Sequence, residues 1–368
     1  MEFTVKKDAL EKNLQLMQGV VETKITMPIL ANVWMKAEEG LLHLKATDLE
    51  IGLENCLECD VRSAGTTTLN VKKLYEFVKL LPDGDIRFQK SDDTGVLLTS
   101  GKIRREIPEL PPVEFPRLPD FPVENRVTLD VKQFCDLLVR IMFNISTEEQ
   151  QQHRGCLFVM TPEALMMVAT DGHRLTYVKK ADKFGLPHRV QEYRFLLSRK
   201  TIHTILRIQT GEKLEMVLGE NHVFFGIGSN IISSRLPEMK FPNYERVIPK
   251  DHDKVMTVST AEFLQALRFA SQVSTDKARP TTLRFSKNAL ELSASGPGDG
   301  KFEEPIAAEY ASESMEIQFN AQYLMDFLQV VGTEQVRVDL KDPGKAAILR
   351  PAGEVPYDYF YVLMPMRV

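Results

Sequence analysis

Residues 40–56 read GLLHLKATDLEIGLENC and residues 163–180 read EALMMVATDGHRLTYVKK. Both alternate apolar and polar residues on either side of Ala-Thr-Asp, the period-two pattern of half-buried strands. The shared tripeptide stands at 46–48 and 169–171. A third stretch, NALELSASGPGDGKFEE at 288–304, aligns with them on Ala294. In the second copy Asp171, His173 and Arg174 suggest a catalytic group. Asp-Gly between alternating strands, however, is a strong hairpin signal. The first copy keeps Thr47 and Asp48 but has Leu49-Glu50-Ile51 where the second has Gly172-His173-Arg174. The shared pair therefore reads as turn chemistry, and the unshared triplet as what is particular to the second copy.

Three further segments recur in the same order. A strand followed by an amphipathic helix opens each copy at 2–21, 127–146 and 255–274, with apolar residues at i, i+3, i+4 and i+7 such as Phe134, Leu137, Leu138 and Ile141. In the third, Ser259 and Glu262 make a capping box. Another strand and helix follow the hairpin at 66–89, 192–218 and 314–340, each helix running through a Gly turn into a strand. A closing strand with proline places Pro116, Pro242 and Pro365 at equivalent points, 126 and 123 residues apart. A period near 123 is too long for a solenoid and is that of a whole domain. The expectation is an α+β protein of three tandem domains, 1–124, 125–248 and 249–368, with helices on one face of antiparallel sheets.

Composition excludes several classes. Hydrophobic residues are 43% and charged residues 26% of 368, the balance of a folded chain. No apolar run is long enough to span a membrane, and MEFTVKKDALEK lacks the apolar core of a signal peptide, so the expected compartment is the cytoplasm. Cys56 and Cys59 form a lone C-x-x-C without the second pair that a structural zinc site requires. No nucleophile motif, phosphate loop or metal cluster accompanies Asp171 and His173. No catalysis, cofactor or metal is expected. The net charge of −5 does not exclude nucleic acid, because the distribution of charge matters more than its sum.

The triplication, the Ala-Thr-Asp-Gly-His-Arg-Leu hairpin, Phe-Pro-Asn-Tyr-Glu-Arg-Val at 241–247 and the ending Tyr-Val-Leu-Met-Pro-Met-Arg-Val together resemble the bacterial sliding clamps, the beta subunits of DNA polymerase III. The resemblance covers the whole chain. It implies a non-catalytic processivity factor: a head-to-tail homodimer of clamp domains, helices lining a ring around duplex DNA and antiparallel sheets outside. It also implies non-specific sliding on DNA, and docking of the replicative polymerase, the clamp loader and other clamp-motif proteins.

The resemblance assigns residues to each task. Lys24, Lys72, Lys73, Arg154, Arg199 and Lys200 would face DNA. A partner peptide of the Gln-Leu-x-Leu-Phe kind would dock against Thr170, Gly172, His173, Arg174 and Leu175, then Pro242, Arg246 and Val247. Asn320 and Tyr323 would contribute from the third domain, and Val362, Leu363, Met364, Pro365, Met366 and Arg367 from the terminus. His153 stands where the family commonly has an apolar wall. The subunit contact would set Ile103, Arg104, Arg105 and Ile107 of one chain against Gln272, Val273, Glu303 and Glu304 of the next. Arg105 and Gln272 replace apolar residues there, which predicts a contact more sensitive to salt than is usual in the family. A three-domain scaffold that never meets DNA is the alternative. Linearisation-dependent release from circular DNA separates the two.

Overall fold

The computed structural model describes residues 1–21, 27–90, 95–146, 155–187, 190–208, 210–238, 241–273, 279–296, 298 and 300–366. Six α-helices form among them: α1 (Lys7–Val20), α2 (Val71–Leu80), α3 (Val131–Met142), α4 (Arg199–Ile208), α5 (Thr260–Val273) and α6 (Ala321–Leu328). Each follows a strand directly, and polar side chains make several of these corners. Asn70 accepts from Lys73 N at 3.0 Å, Asp130 from Gln133 N at 2.7 Å and Ser259 from Glu262 N at 3.4 Å. Asn320 accepts from Gln322 N and Tyr323 N. Such caps satisfy amide groups that the first helical turn leaves without partners.

The chain divides into two compact units. One comprises Met1–Cys135, Gly185–Val190 and Lys200–Pro237; the other comprises Asp136–Phe184, Gln191–Arg199 and Glu238–Val368. The first unit holds two sheets. Five strands run in the spatial order Asp60–Ser63, Glu2–Lys6, Asp85–Lys90, Gly95–Ser100, Ile103–Pro108. Eight more run Val127–Asp130, Lys213–Leu218, His222–Ile227, Asn230–Arg235, Ile51–Glu58, Leu41–Thr47, Asn32–Glu38, Gly65–Asn70. Helix α1 buries Leu10, Leu14, Met17 and Val20, and α2 buries Val71, Leu74 and Val78, as the two helices pack together.

The second unit holds one twelve-stranded sheet. Its order is Tyr193–Ser198, Gly155–Thr161, Ala164–Thr170, Arg174–Ala181, Asp358–Leu363, Ala347–Ala352, Gln335–Leu340, Lys254–Ser259, Gly300–Tyr310, Ala289–Gly296, Pro280–Ser286, Met315–Asn320. Helix α5 packs on α6 and on the Ala289–Gly296 and Gly300–Tyr310 strands, burying Phe263, Ala266, Leu267 and Ala270.

Apart from Asp60–Ser63, which adds a fifth strand beside Glu2–Lys6, these orders break into modules of four strands, two per sequence repeat. One module carries the hairpin, and the other carries the closing strand. At Ile231↔Glu54 to Ser234↔Ile51 the closing strand of the second repeat pairs with the hairpin strand of the first. At Arg174↔Leu363 to Lys179↔Asp358 the closing strand of the third pairs with the hairpin strand of the second. Thus two sheets each join modules from successive repeats. Two strands of the same kinds are left with open edges. Among the described residues Ile103–Pro108, the first repeat's closing strand, pairs only with Gly95–Ser100. Gly300–Tyr310, the third repeat's hairpin strand, pairs with Lys254–Ser259 only at Ala308, Glu309 and Tyr310 on that side.

The alignment of the closing segments needs one correction. Strand Asn230–Arg235 ends two residues before Pro237, and strand Asp358–Leu363 ends two residues before Pro365. Pro365 therefore corresponds to Pro237, not to Pro242.

Both Ala-Thr-Asp turns are built alike. Thr47 Oγ1 donates to Ile51 O at 2.8 Å and accepts from Leu49 N at 3.0 Å; Thr170 Oγ1 donates to Arg174 O at 2.8 Å and accepts from Gly172 N at 3.1 Å. Asp48 Oδ1 accepts from Glu50 N and Ile51 N, and Asp171 Oδ1 from His173 N and Arg174 N. The third turn residue has positive φ in both: 88° at Gly172 and 78° at Leu49. Leucine in that region costs about 1–2 kcal/mol, more than the extra chain entropy of glycine, about 0.5–1 kcal/mol. Leu49→Gly is expected to stabilise the first unit by about 0.5–1 kcal/mol in urea unfolding. A destabilised variant would refute the strain.

Candidate functional site

The second unit carries a groove whose floor is the unit's own core. Leu175 and Val362 face each other across the strand junction and belong to a buried cluster with Leu157, Val159, Val168 and Ile348. Tyr177 stacks on Phe360 with ring centroids 4.6 Å apart, and Tyr244 lies against Tyr177 at 6.4 Å. Above this floor a cavity of about 220 Å³ is lined by Thr170, Gly172, His173, Arg174, Leu175, Pro242, Asn243, Tyr244, Val247, Val362 and Met364. Val247 is 56% exposed and Met364 50% exposed, large apolar side chains left to solvent at the rim. Adaptable methionine beside fixed aliphatic and prolyl walls suits an extended apolar peptide.

Arg174 holds this groove together. Its Nε donates to Asp171 Oδ2 and its Nη1 to Asp326 Oδ2, both at 2.7 Å, and its Nη2 donates to Phe143 O at 3.2 Å. The guanidinium lies 4.0 Å from the Tyr323 ring centroid, a cation–π contact. Burial opposes the charge, but Tyr361 and the carboxylates of Asp171 and Asp326 outweigh it, so the guanidinium is held above its usual range. Gln322 Nε2 donates to the other oxygen of Asp326 at 2.8 Å. His173, exposed, stacks near Tyr323 at 6.5 Å. Asp171 is thus spent on the turn and on Arg174.

The tail is pinned at two points. Met364 N donates to His173 O at 3.0 Å, and Met366 N donates to Gln318 O at 2.8 Å. Pro365, without an N–H, bridges them.

Not every expected residue meets the groove. Leu363 is fully buried and does not line it, because successive strand residues point to opposite faces and Val362 takes the groove side. Asn320 caps α6 and Tyr323 backs Arg174; neither lines the cavity. Arg246 is exposed on the short helix Tyr244–Arg246 and also stands outside the lining. Pro365 and Met366 are half-buried beyond it. Arg367 and His153 lie outside the described residues. Asn243, Tyr244, Asp326 and Phe143 were missed. Only Tyr244 gave a signal, as an aromatic beside Phe241-Pro242.

The cations expected to face DNA separate into free and engaged ones. Lys72 and Lys73 are exposed on the first turn of α2 and edge a depression of about 1100 Å³ that His203 and Arg207 also line. Lys200 is ion-paired with Asp48, and Arg199 Nη1 donates to Ile145 O at 2.9 Å, so both carry structural bonds. Arg140, a cation in the last turn of α3, is buried, paired with Asp136 and lies 4.5 Å from the Tyr357 ring centroid. Lys24 and Arg154 lie outside the described residues.

On the two open edges, Ile103 is 42% exposed, Arg104 and Arg105 are exposed, and Arg105 lies 5.0 Å from the Phe77 ring centroid. Ile107 is a correction: at 2% exposure it belongs to the core of its own sheet and offers no side chain to a partner. On the other edge Glu303 pairs with Lys301, and Glu304 Oε2 is buried without a hydrogen-bond partner among the described residues. Gln272 is exposed and Val273 half-buried at the end of α5, where Phe269, 47% exposed, stacks on Phe302 at 6.3 Å. This aromatic pair was not anticipated, since Phe269 reads as one more apolar position of an amphipathic helix.

Of the cysteines, Cys59 is pushed up to about 11 by burial and by Asp60, which disfavours the reactive thiolate. Among the described residues no cluster of three metal-ligating side chains forms, and no helix is long and apolar enough to cross a membrane.

Comparison with known proteins places these features. The N-terminal, central and C-terminal domain families of the DNA polymerase III beta subunit match residues 1–119, 128–243 and 245–367. Beta sliding clamps of Pseudomonas putida and Escherichia coli K12 are 32% and 30% identical to the chain, each covering all of both sequences. Among solved structures, the sliding clamp of Bartonella birtlesii bound to griselimycin superposes with a TM-score of 0.92 at 31% identity. The beta subunit from Pseudomonas aeruginosa does so with 0.88 at 32%; both comparisons cover all of each chain. With all three domain families matched in order, the chain belongs to the bacterial beta sliding clamps, the DNA polymerase III beta subunits, and serves replication as a polymerase processivity factor.

Proposed function

We propose that two copies of the chain close head to tail into a ring around duplex DNA, which slides without reading sequence and tethers its partners through the groove of the second unit. One observation carries the ring. At both internal junctions a closing strand of one repeat pairs with the hairpin strand of the repeat before it, and the two strands left open are one of each kind. A second copy supplies the missing partner at both, and heterologous contacts that close give rings. Domains of 1–124, 125–248 and 249–368 fit this scheme, with each domain's two modules facing different neighbours.

The chain has no catalytic step in this reading. It works in the cytoplasm with the replicative polymerase, the clamp loader and other proteins bearing a short apolar motif. Lys72 and Lys73 meet phosphates, which position the duplex without specifying it. Replacing both by alanine is expected to lower the slope of log affinity against log salt by about 0.9 for each phosphate that is no longer neutralised. An unchanged slope would remove them from the DNA face. The test of the whole is topological: loaded on circular DNA, the protein stays bound until the DNA is cut, then slides off. Release that ignores linearisation would leave a scaffold rather than a clamp.

A further inference from the structure

The first unit repeats the groove at its own strand junction. Ile51 and Gly52 pair with Ser234 and Ser233 as Arg174 and Leu175 pair with Leu363 and Val362. Arg235 N donates to Glu50 O at 2.8 Å, the counterpart of Met364 N to His173 O. Phe115-Pro116-Arg117-Leu118 runs over this junction as Phe241-Pro242-Asn243-Tyr244 runs over the other. A cavity of about 390 Å³ lies here, larger than that of the second unit, its lining including Leu49, Glu50, Gly52, Leu118, Asp120 and Ser233.

The lining has changed in two ways. Leu175 and Val362 are replaced by Gly52 and Ser233, so the floor is lower. Leu118 reaches into it; a Cβ at Gly52 would stand 3.0 and 3.2 Å from the Leu118 methyls. The rim carries acids. Glu50, in the place of His173, and Asp120 are both exposed, and Arg117 stands beside them in the lining. His222, also there, is held toward its neutral form by burial and by Arg235. Leu49, half exposed on its strained backbone, supplies an apolar edge, and strained residues gather at binding sites.

We propose that this junction is a second docking site, for a short extended peptide that carries an aliphatic side chain beside a lysine or arginine. The aliphatic group enters between Leu49, Pro116 and Leu118, and the cation meets Glu50 and Asp120. Its acids select a cation, whereas the Gln-Leu-x-Leu-Phe peptide of the other groove carries no charged side chain, so the two sites sort partners by charge. The inference borrows its peptide mode from the function proposed for that groove, but the two are tested separately.

The probe is fluorescein-labelled Lys-Leu-Ala-Leu-Lys, titrated by anisotropy with the full-length protein, with Glu50→Lys/Asp120→Lys, and with Val247→Asp/Met364→Asp, which blocks the other groove. All four positions are exposed, and melting curves confirm folding. Saturable binding is expected to wild type and equally to Val247→Asp/Met364→Asp, with at least about a tenfold loss in Glu50→Lys/Asp120→Lys. Absence of saturable binding to wild type overturns the site. So does indifference to the charge reversal, or loss in the Val247→Asp/Met364→Asp variant. A parallel titration with Gln-Leu-Val-Leu-Phe reads the other groove alone; its failure would remove that groove's function and leave the first result standing.

Discussion

Arg174→Ala is expected to destabilise the second unit by about 3–5 kcal/mol, the range for removing one partner of a buried ion pair, and to abolish binding of a Gln-Leu-x-Leu-Phe peptide. The side chain is only 9% exposed, and its loss leaves Asp171 and Asp326, themselves 15% and 20% exposed, facing each other without a cation. It also frees the Phe143 carbonyl and uncovers the Tyr323 ring. Arg174→Lys retains a charge but not the fork that reaches three acceptors, and should recover only part of the loss. Asp326→Asn separates support from folding. Its amide keeps the shape and weakens one charge-assisted bond, so stability falls by about 1–2 kcal/mol, while peptide affinity falls more steeply than in a variant remote from the groove. Chemical unfolding and peptide anisotropy measure the two quantities. An Arg174→Ala protein within about 0.5 kcal/mol of wild type, the range of ordinary surface changes, would show that the network does not hold the groove.

The same residue shows how far the sequence could be read. Comparison of the two Ala-Thr-Asp copies separates turn chemistry from recognition, and the hydrogen bonds agree: threonine and aspartate make the same contacts in both turns. Those contacts span at most four residues, so local pattern carries them. Asp326 stands 152 residues from Arg174; no periodicity marks such a partner, and on α6 it reads as an ordinary solvated acid. Leu363 was a different failure. A strand's period of two already excludes it from a face that holds Val362 and Met364, but the resemblance carried the whole run over together.

The repeat itself was legible because its corners depend on caps, glycines and prolines, whose chemistry is local. The partition of strands was not. Each repeat contributes one four-strand module to each of two sheet contexts, and pairing between Ile51–Glu58 and Asn230–Arg235 joins segments about 180 residues apart. Sequence similarity finds three equal domains, whereas packing gives two compact units that divide the second repeat between them. Both descriptions follow from one rule: a module's last strand seeks a neighbour outside its own repeat. Edge strands left open are a liability that proteins cover or use, and this rule says which partner each open edge fits.

That rule makes the charge of the open edges decisive. Ile103→Glu/Arg105→Glu is expected to raise the dimer dissociation constant about a thousandfold. The substitution removes the exposed aliphatic of the Ile103–Pro108 edge and the cation over Phe77. In the proposed ring it would also set new carboxylates against Glu303 and Glu304 of the partner subunit. Like charges brought together cost several kcal/mol, and about 4 kcal/mol corresponds to three powers of ten. Ile107 is unsuitable for the experiment: it is buried within its own sheet, so a charge there damages the fold before it reaches the contact. Sedimentation at graded protein concentration should find the double variant monomeric where wild type is dimeric, with unchanged helix content. Wild type itself should dissociate more readily as salt rises from 0.1 to 1 M, since screening shortens from about 10 to 3 Å. A dimer that persists at nanomolar protein in 1 M salt would mean that Ile103 and the Phe269–Phe302 pair, not Arg104, Arg105 and the facing acids, set its strength.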